Sequence, residues 1–496
     1  MNLEAKLKEL FHLESFRMGQ EETISSILDK EHTLAMLPTG TGKSLCYQFP
    51  GKLLDGVVII ISPLLSLMQD QVEQMKMKGE KRVVALNSFL SPKEKKAVLE
   101  NLHLYKYLFI SPEMISLKNV LSILKRMNIS LFVVDEAHCI SQWGYDFRPD
   151  YQKLGEVRQE LNNPLTLALT ATATETIRKD IIRSLHLENV KEIVYSVNRP
   201  NITIKIEELS SSQEKMEQLL KYVQEIKGQG IVYFSSKKML EQIATYLKKH
   251  SNKRIMSYHG GMAQEDRILV QQQYQAGQLD VICATSAFGM GINKEDIRFI
   301  IHYHMPTKME AFIQEIGRAG RDGNQSICIL LYAPGDEKIA YQLVEGELAS
   351  DLQVDQWSSS LRKYDDYSQW NNQEEKYMEQ YFTETQWRVL KAFIKPENKT
   401  MDEITNSLEK YKDFRTTRIQ EKTQKIQELL YWIHSKECRR KYIASYFGEV
   451  SHSQNVMCCD RCGFDISFFM DINESITPLQ PLFEWKEQLA LILNIK

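Results

Sequence analysis

The sequence predicts an α/β protein: two parallel sheets in tandem with helices on both faces, then a mainly helical C-terminal region carrying a metal-binding element. Three observations predict it. Short β-branched runs alternate with helix-like stretches over residues 33–169 and again over 202–332, and strands alternating with helices imply parallel sheets joined by crossovers. The rhythm breaks at Asn198-Arg199-Pro200 and restarts, dividing one sheet domain from the next. From about Val344 the strand rhythm disappears, and four of the eight cysteines gather between Cys438 and Cys462.

Taken in order, the first sheet is expected to use 33–37, 57–61, 107–110, 131–135 and 166–169. The second is expected to use 202–206, 231–234, 255–258, 281–284, 299–303 and 327–332. Ligands of such sheets sit at strand C-terminal ends. The acidic, tyrosine-rich stretch 345–379 reads as a helical connector, and 382–394, 400–408 and 415–433 read as three helices. The expected boundaries are 1–200 and 201–343 for the sheet domains and 344–437 for a helical, winged-helix-like region. Residues 438–465 form the metal element and 466–496 a tail.

At roughly 100 to 200 residues per domain, 496 residues allow three or four domains. A content of 43% hydrophobic and 26% charged residues fits a globular chain. The 62 Lys and Arg against 65 Asp and Glu give a net charge of −3, so any polyanion site must be a local patch. Such a patch lies between Lys410 and Lys441, where ten basic residues meet four acidic ones; Arg415, Arg418, Lys422 and Lys425 are its candidate phosphate contacts. The apolar run 57–61 falls far short of the ~20 residues that span a bilayer, and the opening MNLEAKLKEL has no signal-peptide core. A cytoplasmic location without membrane contact is expected. Cys46, Cys139, Cys283 and Cys328 then read as core filler, and the late cluster as metal ligands.

After the first strand comes Pro38-Thr39-Gly40-Thr41-Gly42-Lys43-Ser44, then a helix-compatible run. Backbone N–H groups of such a loop wrap phosphates, and the helix N-terminus adds favourable potential. Gly40 and Gly42 permit the tight wrap, Lys43 reaches the terminal phosphates, and the Ser44 hydroxyl can hold Mg²⁺. A second apolar strand ends in Asp135-Glu136-Ala137-His138. Asp135 would bind Mg²⁺, and Glu136 would orient and deprotonate an attacking water. In the second sheet domain, Arg318 and Arg321 stand three apart on a helix within Gln314-Glu315-Ile316-Gly317-Arg318-Ala319-Gly320-Arg321, and reach a triphosphate only if the domains close.

These blocks, in this order, resemble superfamily 2 helicases, and the segments between them resemble the RecQ family. Phe16-Arg17-Met18-Gly19-Gln20 is similar to that family's adenine-reading motif, which assigns Arg17 and Gln20 to the nucleotide. The segment 61–71 resembles its first DNA-contact motif, and 139–149, directly after DEAH, its aromatic-rich loop. The segments 168–174 (ALTATAT) and 284–294, with the double-arginine motif, complete the set. The resemblance implies two tandem RecA-like P-loop NTPase domains and an ATP- and Mg²⁺-dependent DNA helicase that tracks 3′ to 5′ on single-stranded DNA and separates duplex DNA in recombination and repair. It implies that Trp143, Phe147 and Arg148 engage bases, with His138, Gln142, Thr170 and Thr172 relaying strand binding to hydrolysis. Stacking faces such as Trp143 are worth about 1 to 3 kcal/mol per base. A single-stranded-DNA-binding protein is an expected partner, the monomer the expected unit, and the nucleoid the expected place. The alternatives are an RNA helicase and an ATP-switched DNA scaffold or translocase with little unwinding.

Where the family carries an adenine-stacking aromatic residue, this chain has Leu13. The segment 438–449 resembles the family's zinc-element opening, but the later cysteines are spaced as Cys458-Cys459-Asp460-Arg461-Cys462, with Val456 at the expected third position. Tetrahedral Zn²⁺ needs four ligands. Cys438, Cys459 and Cys462 supply three, and the fourth is Cys458, the favoured choice, or His452.

Overall fold

The computed structural model describes residues 2–63, 65–87, 90–141, 149–289, 294–361, 380–394, 400–449 and 457–470. The first sheet has seven parallel strands: β1 (Thr33–Met36), β2 (Val57–Ile61), β3 (Val83–Leu86), β4 (Tyr107–Ile110), β5 (Ile129–Val134), β6 (Thr166–Thr170) and β7 (Lys191–Val194). Their order is β3-β4-β2-β5-β6-β1-β7. β1, β2, β4 and β6 are buried along their whole length, as continuous apolar runs without alternation require when helices cover both faces. Because β5, β6 and β1 lie side by side, the loops after all three emerge together at one sheet edge.

The second sheet has six parallel strands: β8 (Ile202–Glu208), β9 (Gln229–Tyr233), β10 (Ile255–Tyr258), β11 (Val281–Ala284), β12 (Ile297–His302) and β13 (Ser326–Tyr332). Their order is β10-β11-β9-β12-β13-β8. The fold class matches the sequence expectation, and two strands beyond it appear. β7 escapes notice because Ile193 alone is buried in an otherwise exposed edge strand. β3 is a four-residue run, buried at its two ends.

The C-terminal region departs from the expected three helices. Glu384–Phe393 is a helix, but 400–408 and 415–433 belong to one helix, Met401–His434, of 34 residues. Its start is set by a capping box in which the Thr400 hydroxyl accepts from the Glu403 N–H and the Glu403 carboxylate accepts from that of Thr400. Nothing ends it between Leu408 and Arg415: Glu409 to Phe414 contains neither Gly nor Pro, and Tyr411 continues the buried series of Ile404 and Leu408. No strand follows β13 among the described residues. The first half of the long helix packs with Trp357, Phe382, Trp387 and Leu390. Its second half packs on the second sheet domain, where Trp432 meets Phe312 edge-on at 4.8 Å between ring centroids.

Candidate nucleotide cleft and cysteine cluster

One cavity of about 640 Å³ runs between the two sheet domains. The first domain lines it with Arg17, Gln20, Thr39, Gly40, Gly42, Lys43, Ser44, Asp135 and Glu136, and the second with Gly289, Glu295, Gln314, Arg318 and Arg321. Strand ends place the first group: the phosphate-type loop follows β1, and the acidic pair follows β5. Gly40 and Gly42 have φ of 87° and 71°, the left-handed region that lets the loop turn around an anion. Glu136 also has positive φ, 48°, which costs a non-glycine residue energy and turns its carboxylate off the strand axis at the start of a 3₁₀ turn.

Asp135 is pushed above the usual aspartate range by burial, opposed by the positive charge of Lys43 and by the Glu136 N–H. That N–H donates to Asp135 Oδ1 at 3.0 Å. His138 is buried; its Nδ1 lies 3.0 Å from Thr170 Oγ1 and 3.5 Å from Glu136 Oε2. The Thr172 N–H reaches Thr170 Oγ1 at 3.4 Å. The expected relay residues His138, Thr170 and Thr172 thus stand in one chain of polar contacts that begins at Glu136. Gln142, Trp143, Phe147 and Arg148 lie outside the described residues, as does His452.

Arg17 and Gln20 face the loop itself. Gln20 Nε2 donates to the carbonyls of Thr41 at 2.7 Å and Gly42 at 3.0 Å, while its Oε1 accepts from the Arg17 N–H at 2.8 Å. Arg17 donates to the Gly40 carbonyl at 2.9 Å and pairs with Glu295 of the second domain at 3.3 Å. Leu13 lines the same cavity. Burial, with Arg318 and Arg199 nearby, lowers the Arg321 guanidinium to about 10. The Arg318 guanidinium donates to the Gly289 carbonyl.

Sequence reasoning treated Arg199 as part of a domain break, yet it spans the cleft. Its guanidinium donates to the carbonyls of Thr39 at 2.9 Å, Gly317 at 3.2 Å, Ala319 at 3.1 Å and Gly320 at 2.6 Å. Glu295 was also missed. The available signal for both was a charged side chain beside a recognised motif, which is too common to single out.

The basic patch on the long helix is turned inward. Arg415 pairs with Asp351 at 3.5 Å, Arg418 with Glu421 at 3.4 Å, Lys422 with Glu347, and Lys425 with Glu310 at 2.7 Å. Each of the four expected phosphate contacts is thus paired with a carboxylate of the same chain.

The four late cysteines converge. Cys438 Sγ lies 3.6 Å from Cys458 Sγ and 3.9 Å from Cys459 Sγ. The sulfurs of Cys438, Cys458, Cys459 and Cys462 all lie within 4.8 Å of one another. Four thiolates about 2.3 Å from a tetrahedral Zn²⁺ stand about 3.8 Å apart, so this set fits zinc with Cys458 as the fourth ligand. Cys459 also pairs in a bridge with Ile204 of β8, which ties the cluster to the second sheet. No helix among the described residues is long and apolar enough to cross a membrane.

Three family models match the chain: DEAD/DEAH box helicase over residues 17–180, helicase conserved C-terminal domain over 214–323, and RecQ zinc-binding over 398–463. The chain is 43% identical to the probable ATP-dependent DNA helicase RecS of Bacillus subtilis (strain 168), over 100% of this chain and 98% of that one. It is 41% identical to the ATP-dependent DNA helicase RecQ of Haemophilus influenzae over 66% of this chain, and spans 53% of that longer relative. Among solved structures, the DUF1998 helicase MrfA bound to DNA is similar with a TM-score of 0.57 at 17% identity, covering 68% of this chain and 52% of that chain. At that identity the likeness speaks for the fold.

Proposed function

The chain belongs to the RecQ family of ATP-dependent DNA helicases, and from that premise we propose that it hydrolyses ATP in the cleft between its sheet domains and uses their closure to track along single-stranded DNA and part the duplex. The observation that carries this reading is the single cavity that collects Lys43, Asp135 and Glu136 from one domain and Arg318 and Arg321 from the other.

In this reading the loop N–H groups and Lys43 hold the phosphates of ATP, while Arg17 and Gln20 fix the loop's shape as well as meeting the base. Ser44 and Asp135 would hold Mg²⁺, which would supply positive charge to offset that of the phosphates. Glu136 orients the attacking water and takes its proton. Arg321 and Arg318 stabilise the charge that spreads over the transferred phosphoryl group, which requires the second domain to be closed on the first. ATP binds the closed arrangement better than the open one and so shifts the equilibrium; hydrolysis removes that preference. The contacts from Glu136 through His138 to Thr170 and Thr172 offer a route by which strand binding reaches the water-activating carboxylate. Separating a base-pair step costs on the order of 1.4 kcal/mol of stacking. The expected direction is 3′ to 5′, the expected unit a monomer in the nucleoid, and a single-stranded-DNA-binding protein an expected partner. Zinc on the four cysteines would fix the fold of its element.

Strand displacement on 3′-tailed, 5′-tailed and blunt duplexes, with and without ATP, tests the function. Displacement of the 3′-tailed substrate that needs ATP is the expected result. Glu136→Gln is expected to keep ATP binding and lower the hydrolysis rate by at least about 10²-fold, abolishing displacement. Undiminished displacement by that variant would defeat the motor reading in favour of an ATP-switched scaffold.

A further inference from the structure

A dense set of hydrogen bonds joins the cysteine-cluster element to the segment that connects the two sheets. Arg440 is buried on the helix Arg439–Tyr446, two residues beyond Cys438. Its guanidinium donates to Asn198 Oδ1 at 2.6 Å and to the carbonyls of Arg199 at 2.8 Å, Pro200 at 3.3 Å and Ile202, while its Nε reaches the Cys458 carbonyl at 3.4 Å. From the end of the same element, Glu449 accepts from the Val197 N–H at 2.9 Å and from the Ser196 hydroxyl. The connection between β7 and β8 is thus held from outside along most of its length. That connection also carries Arg199, which bonds the phosphate loop at Thr39 and the double-arginine turn that follows the helix Met309–Ile316, at Gly317, Ala319 and Gly320.

We propose that Arg440 and Glu449 are positioning residues for ATP hydrolysis: they clamp the inter-domain hinge so that Arg199 holds the phosphate loop and the double-arginine segment in register. This rests on the reading of the cleft as the ATPase site, and it gives the cysteine element a role in the chemistry beyond stapling its own fold. A hinge is a few residues whose φ/ψ absorb domain closure. Pinning its carbonyls to a rigid fork restricts the closures available to those in which Arg199 keeps both sets of contacts. Arginine suits the task because its planar guanidinium offers five donors in fixed directions, whereas lysine offers three from one point and cannot span this set of acceptors.

The test uses the zinc-loaded full chain. Arg440→Lys approaches the clamp from the cysteine element, and Asn198→Ala approaches it from the hinge without touching the cysteines. Zinc content, thermal midpoint, kcat and KM for ATP with saturating single-stranded DNA, and the distance distribution between dyes on the two sheet domains are read for each. A misplaced catalytic group costs one to two orders of magnitude, so kcat is expected to fall about tenfold. KM should stay within about twofold, zinc and midpoint should match the parent, and the distance distribution should broaden in both variants. Parent-like kcat in both variants would overturn the clamp. So would an activity loss confined to Arg440→Lys that tracks lost zinc. A parent protein with no ATP hydrolysis would instead overturn the cleft reading on which the clamp depends.

Discussion

Gly317 shows how finely the two lobes are fitted. Its backbone is ordinary, yet a Cβ there would sit 1.7 Å from Thr39 Oγ1 across the cleft. Thr39 is β-branched, with little freedom to rotate away, so the arginine segment must back off. Gly317→Ala is expected to leave ATP binding within about threefold while lowering kcat by roughly 10²-fold, the scale of a displacement near 1 Å. Adding Thr39→Ala removes the nearest obstructing atom and should return part of the loss; kinetics on both variants check it, and an additive double variant would contradict the contact. The same scale shows what the sequence could and could not disclose. Lys43, Asp135 and Glu136 were legible because each follows a strand and local order alone places it at the sheet's C-terminal edge. Arg199 and Arg440 were not, because their partners are backbone carbonyls far away in sequence, and a carbonyl leaves no mark on composition. Gln20 was legible as a residue of the cleft, but its grip on the loop carbonyls appears only in three dimensions.

At the scale of elements, the helix Met401–His434 extends about 51 Å at 1.5 Å per residue and faces two different cores. Between Tyr411 and Ile426 its buried face carries Arg415, Arg418, Lys422 and Lys425 in place of apolar residues, which is why one helix reads as two in the sequence. Its attachment to the second sheet domain is partly ionic and buried. Glu310 is fully buried and meets Lys425 at 2.7 Å and the Tyr446 hydroxyl at 2.9 Å. Burial works against the charge of Glu310, but Lys425 and Lys308 outweigh it and hold the carboxyl below its usual range. Lys425→Met would leave that carboxylate with much weaker compensation, and breaking a buried pair costs about 3 to 5 kcal/mol. Urea unfolding should report a loss of that order, and Glu310→Gln added to Lys425→Met should recover much of it because the buried charge is gone. A loss below about 1 kcal/mol would mean the pair is solvated, and would reopen Lys425 as a phosphate contact.

At the scale of the whole molecule, the cysteine element protects the exposed side of the second sheet. β8 is an edge strand, and an uncovered edge invites pairing with other chains. Here the edge is taken: the Ile204 N–H donates to the Cys458 carbonyl at 3.2 Å, the Asp460 N–H donates to the Ile204 carbonyl at 3.0 Å, and the Thr203 hydroxyl donates to the Met457 carbonyl at 3.0 Å. The end of the long helix is tied to the same element, since Arg439 donates to the carbonyls of Ile433 and Ser435 and pairs with Asp460 at 2.9 Å. Without a cation the four sulfurs protonate and lose the bonds that hold them together, so the covering segment draws stability from the metal. One face of the first sheet has a core of its own around Val58, Ile60, Phe109 and Leu131, to which the element contributes no side chain. Zinc removal should therefore divide the molecule. Calorimetry after chelation should show the second domain and C-terminal region melting earlier while the first domain keeps its own transition and its nucleotide affinity. Hydrolysis should fall with the earlier transition, because the arginines and the hinge belong to the part that loosens. Aggregation should increase as the β8 edge is bared, and adding back zinc under reducing conditions should reverse the shift. One unshifted transition with full hydrolysis after complete loss of the metal would show that the protein contacts alone keep the edge covered.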